Sequence, residues 1–573
     1  MQKATGIVVL TLHAHLPYVL SHGRWPHGTD WLNEAAAETY VPLLSMLTDL
    51  VAEGLSPRIT IGVTPVLTEQ LADPAFLEEF RAYLDHRVEA AVADQARFRE
   101  QNDLDFVEMA VFWERFFRKT RKDFDERFSG NLVGAFKALQ DAGHIELITC
   151  AATHGYLPLL GRDANVRAQV RVGVESYRHH YGRDPKGIWL PECAYRPGSR
   201  WKPPIEDVPG IAEADRAGIE EILGENGLAY FYVDSTLVRG GEPTNAYLAR
   251  FGELPERWTN FHERARTRSE DAERDIYRLY QIGSANKETS PVAAFTRDPK
   301  TGVQVWSGFL GYPGDPEYMD FHKKRFPSGL RYWRVTDATL DLGDKQPYNL
   351  DLVMNRVQEN ASHFCGLVRS ILQEHHEQTG LPGVLCAPYD AELFGHWWFE
   401  GIHWLEAVIR ELANDQTTQL ATGSAALRDV PPDESITLPE GSWGEGGYHS
   451  VWLNNDTEWT WKLIYEAEVR SDGLIKLART LSDEPLNRIV TQALRELLLL
   501  ESSDWQFVIS TEHARDYAHV RVNNHYQAFS RLADAAEAYA NAGEISPEAL
   551  SFLVECEKRD GLFPYLELAW FEG

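Results

Sequence analysis

Chemistry in this chain rests on a few polar residues placed where apolar runs end. In "GIWLPECAY" the run closes on Pro191, Glu192 and Cys193, and in "GVLCAPYDAELFGHWW" it closes on Asp390. Each acid has a proline at or near its N-terminal side (Pro191, Pro388) and aromatic residues after it. Two carboxylates at neighbouring strand ends can divide the work of glycoside cleavage. One, ionised, attacks the anomeric carbon, while the other, held protonated, delivers a proton to the leaving oxygen. With carboxyl groups about 5–5.5 Å apart, such a pair retains anomeric configuration through a covalent glycosyl-enzyme. The chain has 86 acidic residues, so Glu192 taken alone reads equally well as one acid among many. The pair is what carries the reading.

"LHAHLPY" sets His13 and His15 on one side of a strand, because residues i and i+2 face the same way. They can bind a divalent metal with a third ligand such as His154 or Asp234, donate hydrogen bonds to a ligand, or satisfy each other in a polar strand mouth. Tryptophans are the third element: Trp306, then Trp397 and Trp398 after Asp390, then Trp443 and Trp452 in "GSWGEGGYHSVWLN". A glycine-rich loop buries two large rings only at a cost, so at least one of Trp443 and Trp452 is expected to be exposed. Sugar C–H faces stack on such rings, and an aromatic wall keeps water out. Of Trp397 and Trp398, one is expected in the core. A carboxylate next to Cys193 raises its thiol pKa, the wrong direction for a nucleophile. No P-loop, G-x-S-x-G, H-E-x-x-H or EF-hand pattern occurs.

These residues need a frame. Short β-type runs recur through the first 390 residues: "GIVVLTLHAH", "PRITIGVTPVL", "HIELITCAATHGY", "GIWLPECAY", "LAYFYVDSTLV", "VQVWSGFLGYPG" and "GVLCAPYD". Helical stretches such as "NLVGAFKALQDAG" separate many of them. Near-continuous apolar strands alternating with helices predict a parallel sheet covered on both faces, and α/β barrels gather chemistry at strand C-termini. About seven strands predict an incomplete or distorted barrel. No G-x-G-x-x-G turn follows a strand, which disfavours a doubly wound nucleotide-binding sheet. The expected organisation is a catalytic barrel over 1–195 and 227–400, a small inserted domain over 196–226, and a helical domain over 401–573. The charged stretch within 239–290 is expected to form a loop over the active site.

Composition narrows the partner. The chain has 573 residues, a net charge of −30, and 43% hydrophobic and 25% charged residues. That is a soluble globular profile with a surface that repels nucleic acid. No run is long enough for a membrane span, and His13 and His15 interrupt the only apolar N-terminal stretch, so neither an anchor nor a signal peptide is expected. Five cysteines without paired spacing predict reduced thiols, no zinc ribbon and a cytoplasmic protein.

Taken in order, "TLHAHLPYV", "THGYLPLL", "WLPECAYRP", "PYDAELFGHWWFEG" and "GSWGEGGYHSVWLN" resemble the five motif regions of glycoside hydrolase family 57. "WPHGTDWLNEAAAETYVPLL", "LVRGGEPTNAYL", "QVWSGFLGYPGD" and "LLLLESSDW" are similar to the bacterial branching-enzyme group of that family. The resemblance implies a 1,4-α-glucan branching enzyme with a (β/α)7 barrel, an inserted domain B and a helical domain C. It implies Glu192 as nucleophile and Asp390 as general acid/base. It places His13, His15 and His154 at the donor subsite, Trp306, Trp443 and Trp452 as aromatic walls, Asp504 as an acid from domain C, and Tyr247 at the tip of a loop over the cleft. Arg297 and Trp397 join the substrate-binding set. No metal or other cofactor is implied, which turns the histidines toward ligand contacts. The expected partner is an α-glucan, with the protein a monomer or small homo-oligomer. The chain departs from the shorter relatives by extra residues in the charged 255–275 stretch beside Tyr247, which bears on the balance of transfer against hydrolysis. An α-amylase-like hydrolase or 4-α-glucanotransferase would share the same acids, a glucan-binding scaffold would lack turnover, and a metal-dependent deacetylase-like enzyme would respond to chelator.

Overall fold

The computed structural model describes residues 5–239, 274–283 and 292–571. Four parallel strands open the fold: β1 (Gly6–Ala14), β2 (Ile59–Val63), β3 (Ile145–Cys150) and β4 (Gly187–Trp189). A separate antiparallel pair, β5 (Ser199–Trp201) with β6 (Ala214–Arg216), follows, and then a helix Ile219–Glu225. The parallel set resumes with β7 (Tyr230–Val233), β9 (Ala293–Thr296) and β10 (Gly383–Asp390), after β8 (Tyr280–Ile282) has paired antiparallel to β9. Spatial order runs β10-β1-β2-β3-β4-β7-β9. Beyond β9 the chain meets β10 again: Arg297 bridges Cys386, and Asp298 N–H donates to Cys386 O at 2.9 Å. The seven parallel strands therefore curl into a ring closed by a single bridge, a distorted (β/α)7 barrel.

Local sequence explains the frame. All nine residues of β1 are buried, as expected of a strand flanked on both edges and covered on both faces. Its register with β10 runs from Gly6↔Gly383 to His13↔Asp390, which sets two polar residues side by side at the strand ends. The opposite edge of β1 is shared, with β11 (Thr418–Leu420) at Gly6–Val8 and β2 at Thr11–Ala14. The helix Asp163–Tyr181 lies so close to β3 that a Cβ at Gly173 would fall 2.1 Å from Cys150 O, and it stops at Gly182 with φ 71°.

Two expectations are corrected here. The run "VQVWSGFLGYPG" is not a strand: Pro299–Trp306 is a helix, because Asp298 caps it by accepting from Thr301 N–H (2.6 Å) and Pro299 sits at its first turn. The seventh strand is β9, in the short "AAFT" stretch. The sheet also outlasts residue 400. β11 joins β1, and β12 (Ser435–Ile436) joins β8, so the purely helical region begins at Glu458 rather than 401. Tyr247 and residues 255–273 of the charged stretch lie outside the described residues.

From Glu458 on, five helices (Glu458–Leu481, Glu484–Leu500, Asp504–Ser510, Arg515–Ala542 and Pro547–Arg559) pack together. Glu484–Leu500 is buried through Ile489, Val490, Ala493, Leu494 and Leu497–Leu500, and it delivers the turn "ESSDW" to the barrel mouth. There Ser503 N–H donates to His154 O (3.1 Å), Thr153 Oγ1 donates to Leu498 O, and Gln169 and Asn165 donate to the Glu501 carboxylate at 2.7 and 2.8 Å. Among the described residues no helix is long and apolar enough to cross a membrane.

Candidate active site

The polar residues converge where β1, β3, β4 and β10 end. Three non-glycine residues there stand in the left-handed region: His154 (φ 61°), Glu192 (φ 58°) and Cys193 (φ 48°). Such residues cost about 1–3 kcal/mol each and persist where surrounding contacts over-determine them. For Glu192 those contacts come from Trp443, whose backbone N–H donates to Glu192 O (3.1 Å) and whose indole Nε1–H donates to Glu192 Oε2 (2.7 Å). Cys193 N–H and Ala194 N–H close the turn on Leu190 O and Pro191 O at 2.8 and 3.0 Å. The turn thus aims one carboxylate oxygen at an indole donor.

Electrostatics set the proton inventory. Glu192 is only 9% exposed, and burial above all pushes its carboxyl up to about 8. The Trp443 hydrogen bond opposes this, the charges of Asp390 and Asp504 add to it, and His15 opposes it. Asp390, also 9% exposed, sits beside His13 in the β1–β10 register. For Asp504, burial disfavours the charge, but the His15 charge and hydrogen bond win and hold it below the usual aspartate value. The charges of Asp390 and Asp504 thus both act with burial to favour the protonated form of Glu192.

The histidines form one stack. His13 lies on Trp189 (4.5 Å between centroids, 7° between planes), and His15 on His154 (3.8 Å, 14°). His13 Nε2 and His154 Nε2 are 3.1 Å apart. Each of the other two rings is anchored through Nδ1: His15 to Thr64 Oγ1 (3.1 Å) and His154 to Ser503 Oγ (2.8 Å). His15 Nε2 contacts both Asp504 oxygens at 3.0 and 3.1 Å. Burial pushes His13 and His154 well below the ordinary histidine value, with neighbouring imidazoles adding to the effect. Donor atoms of His15, His154 and Asp504 lie within 4.8 Å of one another, a spacing that a metal ion could use.

The remaining predicted residues divide. Arg297 Nη2 donates to Asp234 Oδ2 (2.5 Å), each side chain 4% exposed, and its guanidinium lies 5.5 Å over the Trp443 ring. Asp234 is thereby committed to Arg297 rather than standing third with the histidines. Trp306 and Trp443 meet edge to face at 6.0 Å. The expected exposed ring is a correction: Trp443 is 4% and Trp452 0% exposed. Trp452 stacks on Tyr156 at 4.5 Å behind Gly444, where a Cβ would meet its ring at 2.6 Å. It supports the loop from beneath instead of facing the cleft. Trp398 is core and Trp397 half-buried. The Cys193 thiol is raised as expected, though burial is the chief cause, and all five cysteines are free and buried.

Sequence reasoning missed four partners. Glu392 Oε1 accepts from His15 N–H (3.0 Å) and Tyr40 Oη–H (2.5 Å), and burial pushes its carboxyl up to about 7. It ties the end of β1 to the turn just after Asp390; an acid two residues beyond a strand-end aspartate was the available signal. Thr64 follows β2, and Ser503 and Ser502 sit in "ESSDW", where Ser502 Oγ–H donates to Asp504 Oδ2 (2.5 Å).

Residues 9–439 match the family model described as Glycosyl hydrolase family 57. The chain belongs to glycosyl hydrolase family 57. Residues 464–571 match a second family-level description, 1,4-alpha-glucan branching enzyme, C-terminal. A 1,4-alpha-glucan branching enzyme of Thermococcus kodakarensis is 43% identical over 560 residues, 97% of this chain and 77% of that protein. A crystal structure of a family-57 branching enzyme from the same archaeon superposes with a TM-score of 0.88 at 42% identity, covering 99% of this chain and 97% of the other. A probable 1,4-alpha-glucan branching enzyme of Mycobacterium tuberculosis is 31% identical over 93% of each chain. The fold also resembles the crystal structure of the alpha-amylase AmyC from Thermotoga maritima (TM-score 0.78, 30% identity, 99% of each chain).

Proposed function

We infer that the chain is a 1,4-α-glucan branching enzyme that works by retaining double displacement through Glu192 and Asp390. The observation that carries this reading is the buried Glu192, gripped by Trp443 and electrostatically coupled to Asp390 and Asp504, in a chain 43% identical along nearly its whole length to a branching enzyme. Glu192 attacks C1 of an α-1,4-linked glucose while Asp390 protonates the departing glucosidic oxygen, leaving the excised chain esterified to Glu192. Because Glu192 holds a proton strongly, the attacking microstate is the one in which the shared proton sits on Asp390 and the Trp443 N–H stabilises the bare carboxylate. Asp390, now a base, takes the proton of an acceptor 6-hydroxyl, which attacks C1, releases Glu192 and forms an α-1,6 branch.

Neutral His13 and His154 suit hydrogen bonding to sugar hydroxyls, and the indoles of Trp306 and Trp443 line a water-poor mouth. Asp504 and Ser503 bring the helical region into the site, so the barrel and that region form one catalytic unit. Tyr247, Arg297 and Trp397 complete the substrate-binding set in this reading, with Arg297 acting through Trp443. The substrate is an amylose- or glycogen-like α-glucan. Free, buried cysteines fit a cytoplasmic protein, acting as a monomer or small homo-oligomer.

The likeness to an alpha-amylase gives hydrolysis as the second reading. Incubation with amylose followed by proton NMR of α-1,6 linkages separates the two. New branches from the wild type, absent in Glu192→Gln and Asp390→Asn, support branching. Reducing ends without new branches mean hydrolysis.

A further inference from the structure

We propose that His15, His154 and Asp504 form a binding site for a first-row divalent cation of the Zn2+ type, seated at the joint between barrel and helical region, and that the bound ion competes with glucan. Three observations combine. First, the donors are spaced for chelation: His15 Nε2 lies 3.0 and 3.1 Å from the Asp504 oxygens, and all three donor atoms fall within 4.8 Å. Ligand atoms around a tetrahedral ion with bonds of about 2.0–2.2 Å stand roughly 3.3–3.6 Å apart, close to the present His15–Asp504 separation, and the stacked His15 and His154 rings splay to face one ion.

Second, the outer shell is built. Metal-ligating histidines bind through one nitrogen while a second group fixes the other. Here Thr64 Oγ1 holds His15 Nδ1, Ser503 Oγ holds His154 Nδ1, and Ser502 Oγ–H orients the Asp504 carboxylate. His15 Nε2 faces the Asp504 carboxylate, and His154 Nε2, now 3.1 Å from His13 Nε2, exchanges that contact for the ion. Entry of the ion displaces the proton of His15 Nε2 to solvent, and the remaining Nδ1–H donates to Thr64 Oγ1.

Third, the mouth favours a cation. The carboxylates of Asp390 and Asp504 both lie close enough to act on Glu192, and the guanidinium of Arg297 is paired with Asp234. The comparable group His22, His525 and Asp560 lacks this property. Arg521 donates to His525 and Arg559 to Asp560, so two guanidinium charges already occupy it. Soft-to-borderline ions with nitrogen affinity fit a two-imidazole, one-carboxylate set, whereas Mg2+ and Ca2+ prefer oxygen.

The cation site stands on its own geometry; its competition with glucan rests on the donor-subsite reading above. Co2+ titration of the full-length protein tests the first part. Visible absorption bands of a low-coordinate nitrogen–oxygen cobalt site are expected, bleached by equimolar Zn2+ and unaffected by Mg2+. Asp504→Asn, checked for native circular dichroism, should weaken binding at least tenfold, and Ser503→Ala by about 10-fold or more. Branching assays with added Zn2+ test the second part: apparent KM for amylose rises while kcat holds, and chelator reverses it. Absent cobalt bands, or equal affinity in Asp504→Asn, overturn the site. Zn2+ bound with no effect on KM overturns the competition, and a protein that binds Co2+ but forms no branches keeps the site while sinking the branching assignment.

Discussion

Trp443→Phe isolates one hydrogen bond at the nucleophile. The ring and its packing against Arg297 and Trp306 are largely retained, while the 2.7 Å donor to Glu192 Oε2 is lost. A hydrogen bond to a charged group contributes about 1.5–3 kcal/mol, and one pKa unit corresponds to about 1.36 kcal/mol, so the proton affinity of Glu192 rises by about 1–2 units. It starts from about 8 in the wild type. The active form has one proton shared by Glu192 and Asp390, seated on Asp390. Stronger retention by Glu192 therefore lowers the population of the attacking microstate about 10- to 100-fold. It also delays loss of the last proton as pH rises. The assay is kcat/KM for branching between pH 5 and 10, which reports the free enzyme. The expected result is a maximum lowered by about 10- to 100-fold, with the alkaline limb moved up by about 1–2 units. An alkaline limb that stays in place or moves down would refute the role given to the indole, even if activity falls.

Further outcomes follow from the same contacts. The Glu192 carboxyl is raised from 4.5 in the unfolded chain to about 8, so the folded state holds the extra proton between these values and loses stability as pH rises through them. Glu192→Gln removes that loss, and its unfolding free energy should exceed wild type by up to about 5 kcal/mol above pH 8, with little difference near pH 4; denaturant melts at both pH values check it. Arg297→Met strands the buried Asp234 and should cost about 3–5 kcal/mol, with the Asp234→Asn, Arg297→Met double variant recovering part of it. Trp452→Ala empties the space beneath the Trp443 loop and should cost about 3–5 kcal/mol. Branching by this variant should fall more than by an equally destabilised variant at Leu553, buried in the helix Pro547–Arg559, since the loop that holds Glu192 loses its floor.

The frame was readable wherever an apolar run ended on a polar residue, and that rule found both carboxylates and the three histidines at strand ends. It failed where short-range signals conflicted. "VQVW" has β-branched residues, yet the Asp298 cap and Pro299 upstream start a helix, and the true strand "AAFT" is only four residues long. Thr64, Ser502, Ser503 and Glu392 were invisible as site residues because their roles depend on docking of the helical region and on the turn after β10, neither of which leaves a local pattern. The tryptophans were misread for a related reason. Glycine content predicts exposure, whereas Trp452 packs on Tyr156 and Trp443 packs against Arg297 and Trp306. Spacing in sequence located the acids; only tertiary contacts give them their proton affinities.

The central claim is that Glu192 carries the glucan chain, and covalent trapping tests it most directly. The protein is incubated with a 5-fluoro-α-glucosyl fluoride, digested, and mapped by mass spectrometry. The account predicts one glucosyl adduct on Glu192, accumulating further in Asp390→Asn when the fluoride supplies its own leaving group, and absent from Glu192→Gln. A label on another carboxylate, or branching that persists in Glu192→Gln, would contradict it.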